Sequence, residues 1–192
     1  MISDHTIKLV LMTKNIPNLL SILRLLTIPI VAWLLLSDLL LYAALFTILI
    51  AFSDLLDGLL ARLWNVESEL GSYLDAIADK VFVISIFILI GSLNLLPIFI
   101  TILVISRDII IMGSFIIAFI VKIETKVNPI QISKVNTFFQ FLLVIITLLG
   151  NTEGFSKYIL SYNLIEILIG IVMITTTISM FIYIFHWVKN IN

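Results

Sequence analysis

The sequence predicts an all-α polytopic membrane protein, with six transmembrane helices preceded by a short N-terminal interfacial helix. Three observations predict it. Of 192 residues, 61% are hydrophobic and only 12% charged, and mean hydropathy is +1.24; a soluble domain carries about 25% charged residues. Apolar runs recur near the roughly 20 residues that a helix needs to cross a bilayer. Polar residues collect in the short segments between those runs. Length points to one membrane domain, residues 15–192, after an N-terminal helix at 1–14. A net charge of -1 gives no electrostatic case for nucleic acid as a partner. The absence of cysteine excludes disulfides and thiolate metal sites. The start, Met1-Ile2-Ser3-Asp4-His5, lacks a basic n-region, so no signal peptide is expected.

Residues 1–14 read as interfacial because Ile7, Leu9, Val10, Leu11 and Met12 are flanked by Lys8 and Lys14. The first span is expected from about Pro17 to Leu36, with Pro17 suited to a first helical turn. Asn18, Ser21 and Arg24 make a polar stripe there, and Ser37-Asp38 makes a short turn. The second span runs from about Leu39 to Ala61, and the third from about Gly71 to Ile90, joined by the polar segment 62–70. Gly91-Ser92-Leu93-Asn94 reads as a turn. The fourth span covers about Pro97 to Val121, the fifth Ile130 to Leu149, and the sixth Leu164 to Phe185. Segments 122–129 and 151–161 read as polar loops. With six spans, Lys8, Lys14, Arg62, Lys122, Lys126 and Lys189 share one side, and Lys157 alone lies in a loop on the other. The positive-inside rule makes that first side cytoplasmic, with both termini.

Four aspartates enter this apolar chain. Asp54 and Asp57 are at i, i+3 on the second span; Asp75 and Asp79 are at i, i+4 on the third. Each pair shares a helix face. A rise of 1.5 Å per residue puts Asp57 about 7 Å below Arg62 and Asp75 about 6 Å into the third span. Asp54 and Asp79 both lie about 12 Å in. The depths pair Asp57 with Asp75 and Asp54 with Asp79. Charge inside a membrane is costly and marks function. Four like charges at close range need neutralising, and an all-oxygen set favours Mg²⁺ or Mn²⁺, with room for two ions. Such ions suit chemistry on a phosphate ester or pyrophosphate. Gly58, Ala61 and Gly71 leave space on those faces for a nucleotide, or for close helix packing. An ion or proton transporter would also use buried aspartates.

The spacing is more specific. Residues 54–79 read D-x2-D-G-x2-A-R-x8-G-x3-D-x3-D, formed by Asp54, Asp57, Gly58, Ala61, Arg62, Gly71, Asp75 and Asp79. This resembles the signature of the CDP-alcohol phosphotransferase family, which moves a substituted phosphate from a CDP-linked donor to an alcohol and releases CMP. The resemblance implies Asp54, Asp57, Asp75 and Asp79 as metal ligands, and Asp79 as the catalytic base for the acceptor hydroxyl. It implies Gly58, Ala61, Arg62 and Gly71 around the CDP group. Asn18, within Ile16-Pro17-Asn18-Leu19, is similar to the first-span motif that faces the pyrophosphate. Ala76 departs from the proline common after the third aspartate. With no soluble domain expected, CDP-diacylglycerol is the expected donor; the positive-inside rule puts the active site on the cytoplasmic side, and the high Ile and Leu content points to a bacterial-type inner membrane. The family it resembles is often dimeric, which makes a homodimer a possible assembly.

Two further motifs bear on the acceptor. Arg107, in Ser106-Arg107-Asp108-Ile109, and Lys134, in Ser133-Lys134-Val135-Asn136-Thr137, are the acceptor-binding candidates. As neighbours in one helix, Arg107 and Asp108 are expected to point different ways and to need separate partners. Members that use glycerol 3-phosphate carry a second arginine about seven residues on; here that residue is Ser114. The Ser-Lys-Val-Asn-Thr run resembles CMP-forming cardiolipin synthases, which implies phosphatidylglycerol as acceptor. Phosphatidylglycerophosphate synthase is the alternative.

Overall fold

The computed structural model describes residues 21–64, 69–121, 131–161 and 163–191, with side-chain surroundings for 21–53, 77–114, 132–159 and 163–185. The expected helix at 1–14 lies outside these residues. All described elements are helical: α1 (Ser21–Leu36), α2 (Leu40–Trp64), α3 (Glu69–Ser92), α4 (Ile98–Val121), α5 (Gln131–Gly150), α6 (Ser156–Ser161) and α7 (Leu164–Ile191). The all-α expectation is met. Short α6 stands inside the stretch read as a loop. The departure of Ala76 from the family pattern leaves α3 continuous.

The short connections are set by residues that tolerate a left-handed backbone. Asp38 and Asn94 have φ of 59° and 56°. Each follows a helix whose end carries paired bonds: Leu39 N–H to the Leu34 carbonyl and Asp38 N–H to Leu35, then Leu95 to Ile90 and Asn94 to Gly91. This is the Schellman arrangement, with Asp and Asn replacing the usual glycine. Gly91 therefore sits within α3 and serves packing. A Cβ there would meet Thr101 Oγ1 at 2.7 Å, so α3 and α4 approach closely at that end.

α5 is the central element. In the described residues it packs on α7, α2, α3 and α6, while α4 packs on α3 and α7. Leu143 and Leu148 of α5 are fully buried with Phe82, Phe87 and Ile90 of α3 and Val172 of α7. Ala43 and Ala44 have no exposed surface, so the α2 backbone lies close against the bundle. Phe82 stacks on Phe141, with ring centroids 6.1 Å apart.

The burial pattern is inverted relative to a water-soluble bundle. Outward faces carry Leu26, Trp33, Leu49, Phe52, Phe138 and Phe181, each more than 60% exposed. Inward faces carry Thr47, Arg107, Asp108, Asn136, Gln140 and Ser179 with no exposed surface. An apolar exterior on this scale matches hydrocarbon rather than water. Hydroxyls inside the helices bond back to their own turns, as Thr47 does to the Ala43 carbonyl at 2.8 Å. Among the described residues, Ile132–Gly150 and Leu164–Phe185 are each long and apolar enough to cross a membrane; Ser21–Leu36 and Leu40–Ser53 are apolar but shorter. These described stretches do not by themselves confirm the six-span count.

Candidate active site

Unbroken α2 carries Asp54, Asp57, Gly58, Ala61 and Arg62, and unbroken α3 carries Gly71, Asp75 and Asp79. The i, i+3 and i, i+4 spacings are thus helical spacings, and each aspartate pair shares one face of its helix. Asp79 is half-buried. The side chains of the other seven residues, and all of Asn18, lie outside the described residues, and so does the meeting of the two acidic faces. In their described parts, α2 packs on α5, and α3 on α4 and α5. Among the described residues no group of three potential metal ligands gathers. The donor set itself is chemically consistent with a hard divalent cation: four carboxylates, at helical repeats, on consecutive helices.

The described part of the site is a buried polar network beside Asp79. Arg107 and Asp108 have no exposed surface. Contrary to the expectation of separate partners, Arg107 curls back, and its Nη1 donates to Asp108 Oδ1. The length of the arginine side chain lets it span the angle between neighbouring helical positions. Lys80 Nζ donates to the same oxygen at 3.1 Å. Arg107 Nη2 also donates to Ser133 Oγ of α5 and, at 2.8 Å, to Ser179 Oγ of α7. Tyr183 of α7 lies beside Ser133 and within electrostatic reach of Arg107. Lys80 and Arg107 thus share one carboxylate oxygen of Asp108. Its unpaired buried atoms are Arg107 Nε and Asp108 Oδ2.

Lys134 does not share this network. It is exposed, one position round from Ser133. Ser114, at the position where a second arginine would stand, donates its hydroxyl to the Ile111 carbonyl at 2.7 Å. Arg24 is 5% exposed and Ser21 2%, so the first-span polar stripe turns inward.

The polar stripe continues along α5. Asn136 Oδ1 accepts from Thr175 and Thr176 of α7, each at 2.8 Å. Its Nδ2 is buried without a partner. One turn on, Gln140 has both amide atoms buried and unpaired, in a crevice walled by Val83, Ile86, Phe87, Phe141 and Val144. The roles of Lys80, Ser179, Thr175, Thr176, Tyr183 and Gln140 were not assigned from sequence. Their signal was the repeat of Ser133, Asn136, Gln140 and Thr147 on one face of an apolar helix, mirrored by Thr176, Ser179 and Tyr183.

A family model described as CDP-alcohol phosphatidyltransferase matches residues 14–188. Similar proteins include CDP-diacylglycerol–glycerol-3-phosphate 3-phosphatidyltransferase 1, chloroplastic, of Oryza sativa subsp. japonica, 34% identical over 86% of this chain and 54% of that protein. Cardiolipin synthase (CMP-forming) of Rattus norvegicus is 31% identical over 93% of this chain and 63% of its own length. CDP-diacylglycerol–glycerol-3-phosphate 3-phosphatidyltransferase of Rickettsia typhi is 29% identical over 72% of this chain and 78% of that protein. The chain thus spans less than two thirds of the first two relatives.

Proposed function

The chain belongs to the CDP-alcohol phosphatidyltransferase family, and from that premise we propose that it transfers a phosphatidyl group from CDP-diacylglycerol to phosphatidylglycerol, giving cardiolipin and CMP. In this reading all six long helices lie in the membrane, and the acidic ends of α2 and α3 open to the cytoplasm. Two divalent ions, Mg²⁺ or Mn²⁺, would be held by Asp54, Asp57, Asp75 and Asp79, and when bound they supply neutralisation of the pyrophosphate charge. Asn18, Gly58, Ala61, Arg62 and Gly71 receive the CDP group. Asp79 accepts the proton of the acceptor hydroxyl. The hydroxyl oxygen forms a bond to the lipid-linked phosphorus, and the bond from that phosphorus to CMP breaks. Crowding by other carboxylates suits Asp79 to the work of a base.

The observation that carries the choice of acceptor is the uncharged Ser114 at the position of the second arginine, with Arg107 already bonded to Asp108. Arg107 is compensated by Asp108, and Ser114 adds no cation. A phosphomonoester dianion calls for a fork of cations, which a phosphodiester does not need. Exposed Lys134 serves the same phosphodiester from the start of α5. The second reading, glycerol 3-phosphate as acceptor, is favoured by the names of the Oryza and Rickettsia relatives. The test is to supply the purified chain with CDP-diacylglycerol, Mg²⁺ and either labelled phosphatidylglycerol or labelled glycerol 3-phosphate. Cardiolipin and CMP are expected from the first. Incorporation of glycerol 3-phosphate alone overturns the assignment.

A further inference from the structure

Lys80 follows Asp79 directly on α3, yet its side chain is committed to α4. Its Nζ lies 3.1 Å from Asp108 Oδ1, and only 15% of the Lys80 side chain is exposed. The same oxygen accepts from Arg107. Arg107 is tied in turn to Ser133 on α5 and Ser179 on α7. Four helices are therefore tied to one buried carboxylate, α3 and α4 directly and α5 and α7 through Arg107, and that carboxylate has no task in the chemistry above.

The position of Lys80 gives that convergence a consequence. Successive residues of a helix point about 100° apart. Holding Lys80 against α4 fixes the rotation of α3 about its own axis at this level. Asp79 is then aimed one step round from α4. The apolar contacts of α3, through Phe82 and Phe87, hold it against the core. Such contacts are non-directional and constrain rotation weakly. A charge-assisted hydrogen bond has a preferred length and angle, and so supplies the directional restraint. At the other end of α3, the close approach of Gly91 to Thr101 leaves little room for α3 to turn against α4.

We propose that Asp108 is a positioning residue: by holding Lys80 it sets the rotation of α3, and through it the aim of Asp79. The inference rests on Asp79 serving the reaction as described above. It assigns Lys80 the role of a handle and Asp108 that of the grip. Arg107 and the two serines keep the grip itself in place.

The full chain, purified in detergent or nanodiscs, provides the test. Lys80→Met removes the handle but leaves the Arg107–Asp108 pair and its serines intact. Asp108→Asn removes the grip, and the double variant removes both. Lys80→Met is expected to lower kcat by about a hundredfold, the scale of a 1 Å misplacement of a reacting group. KM for CDP-diacylglycerol should stay within about twofold, because the donor-binding residues are untouched. Mn²⁺ binding without substrate, followed by electron paramagnetic resonance, should weaken severalfold. The double variant should lose no more kcat than the worse single variant, the sign of one shared pathway. Lys80→Arg, which keeps charge and reach, should recover most of the turnover. The proposal is overturned if Lys80→Met keeps kcat and Mn²⁺ affinity within about twofold of wild type and changes only Tm, or if the two single losses add. Asp79→Asn separates the layers. If that variant is inactive and Lys80→Met is not, the positioning role fails and the base assignment stands. If Asp79→Asn itself turns over normally, the underlying reading fails.

Discussion

The acidic stretches of α2 and α3 and the polar core of α4, α5 and α7 both put charge into apolar helices, but they differ in its make-up. The first holds Asp54, Asp57, Asp75 and Asp79, four charges of one sign at helical repeats. The second holds Arg107 against Asp108, with Lys80 on the same carboxylate and two serines on Arg107 Nη2. Like charges repel and must be offset by something brought to them. A cluster that offsets itself is nearly complete without a ligand. In the proposed reading the difference separates a reaction centre, which substrate and ions would complete, from a frame, which ties helices together. Asp79–Lys80 is where the two meet along the chain.

The largest expected effect falls on the proposed reaction centre. Asp79→Asn keeps the size of the side chain and removes its capacity to take a proton. CMP release should fall by about 10²–10⁴-fold, the usual contribution of a positioned base. Thermal unfolding in detergent should change far less than turnover, because the substitution is isosteric. Turnover at the wild-type level would mean that the acidic cluster is not the reaction centre.

Arg107→Met tests the frame with the opposite signature. It leaves the fully buried Asp108 with Lys80 as its remaining cation, and it removes the links to Ser133 and Ser179. Breaking a buried ion pair from one side costs about 3–5 kcal/mol. A large fall in Tm is expected, together with loss of activity in whatever fraction stays folded. A variant with unchanged Tm would show that the network is dispensable to the fold, and the division between frame and centre would collapse.

The two regions were also unequally legible. Asp54 through Asp79 announce themselves because helical repeats of charge in an apolar chain depend only on local spacing. Four of the long helices could be bounded to within about three residues at each end, since hydrophobic length is also local. The second span was read to Ala61 but its helix continues to Trp64, and the sixth was read to Phe185 but runs to Ile191. Both extensions are polar helical turns, which hydropathy does not mark. The frame depends on contacts 26 to 72 residues apart, such as Arg107 with Ser133 and Ser179. No local rule pairs those residues. The expectation that Arg107 and Asp108 would seek separate partners failed because helical direction was weighed without the reach of the arginine side chain. Gly91 was read as a turn residue, whereas its neighbour Asn94 supplies the left-handed backbone that the turn requires. Short α6 escaped because its six residues carry no clear apolar repeat.

The smallest effect is expected at the edge of the frame, and its sign is informative. Gln140 has no exposed surface, and both of its amide atoms lack a partner beside Val83, Ile86, Phe87, Phe141 and Val144. An unsatisfied buried polar group costs about 1–3 kcal/mol. Gln140→Leu removes that cost and fills the same space with hydrocarbon like its walls. Tm should stay level or rise, and CMP release should stay within about twofold of wild type. Asn136, one turn earlier, spends its carbonyl oxygen on Thr175 and Thr176, so Asn136→Leu should lower Tm where Gln140→Leu does not. A Gln140→Leu protein that keeps its stability but loses turnover would give this amide a place in the reaction. The boundary of the reaction centre would then extend along α5 to Gln140, about two turns beyond Ser133, which braces Arg107.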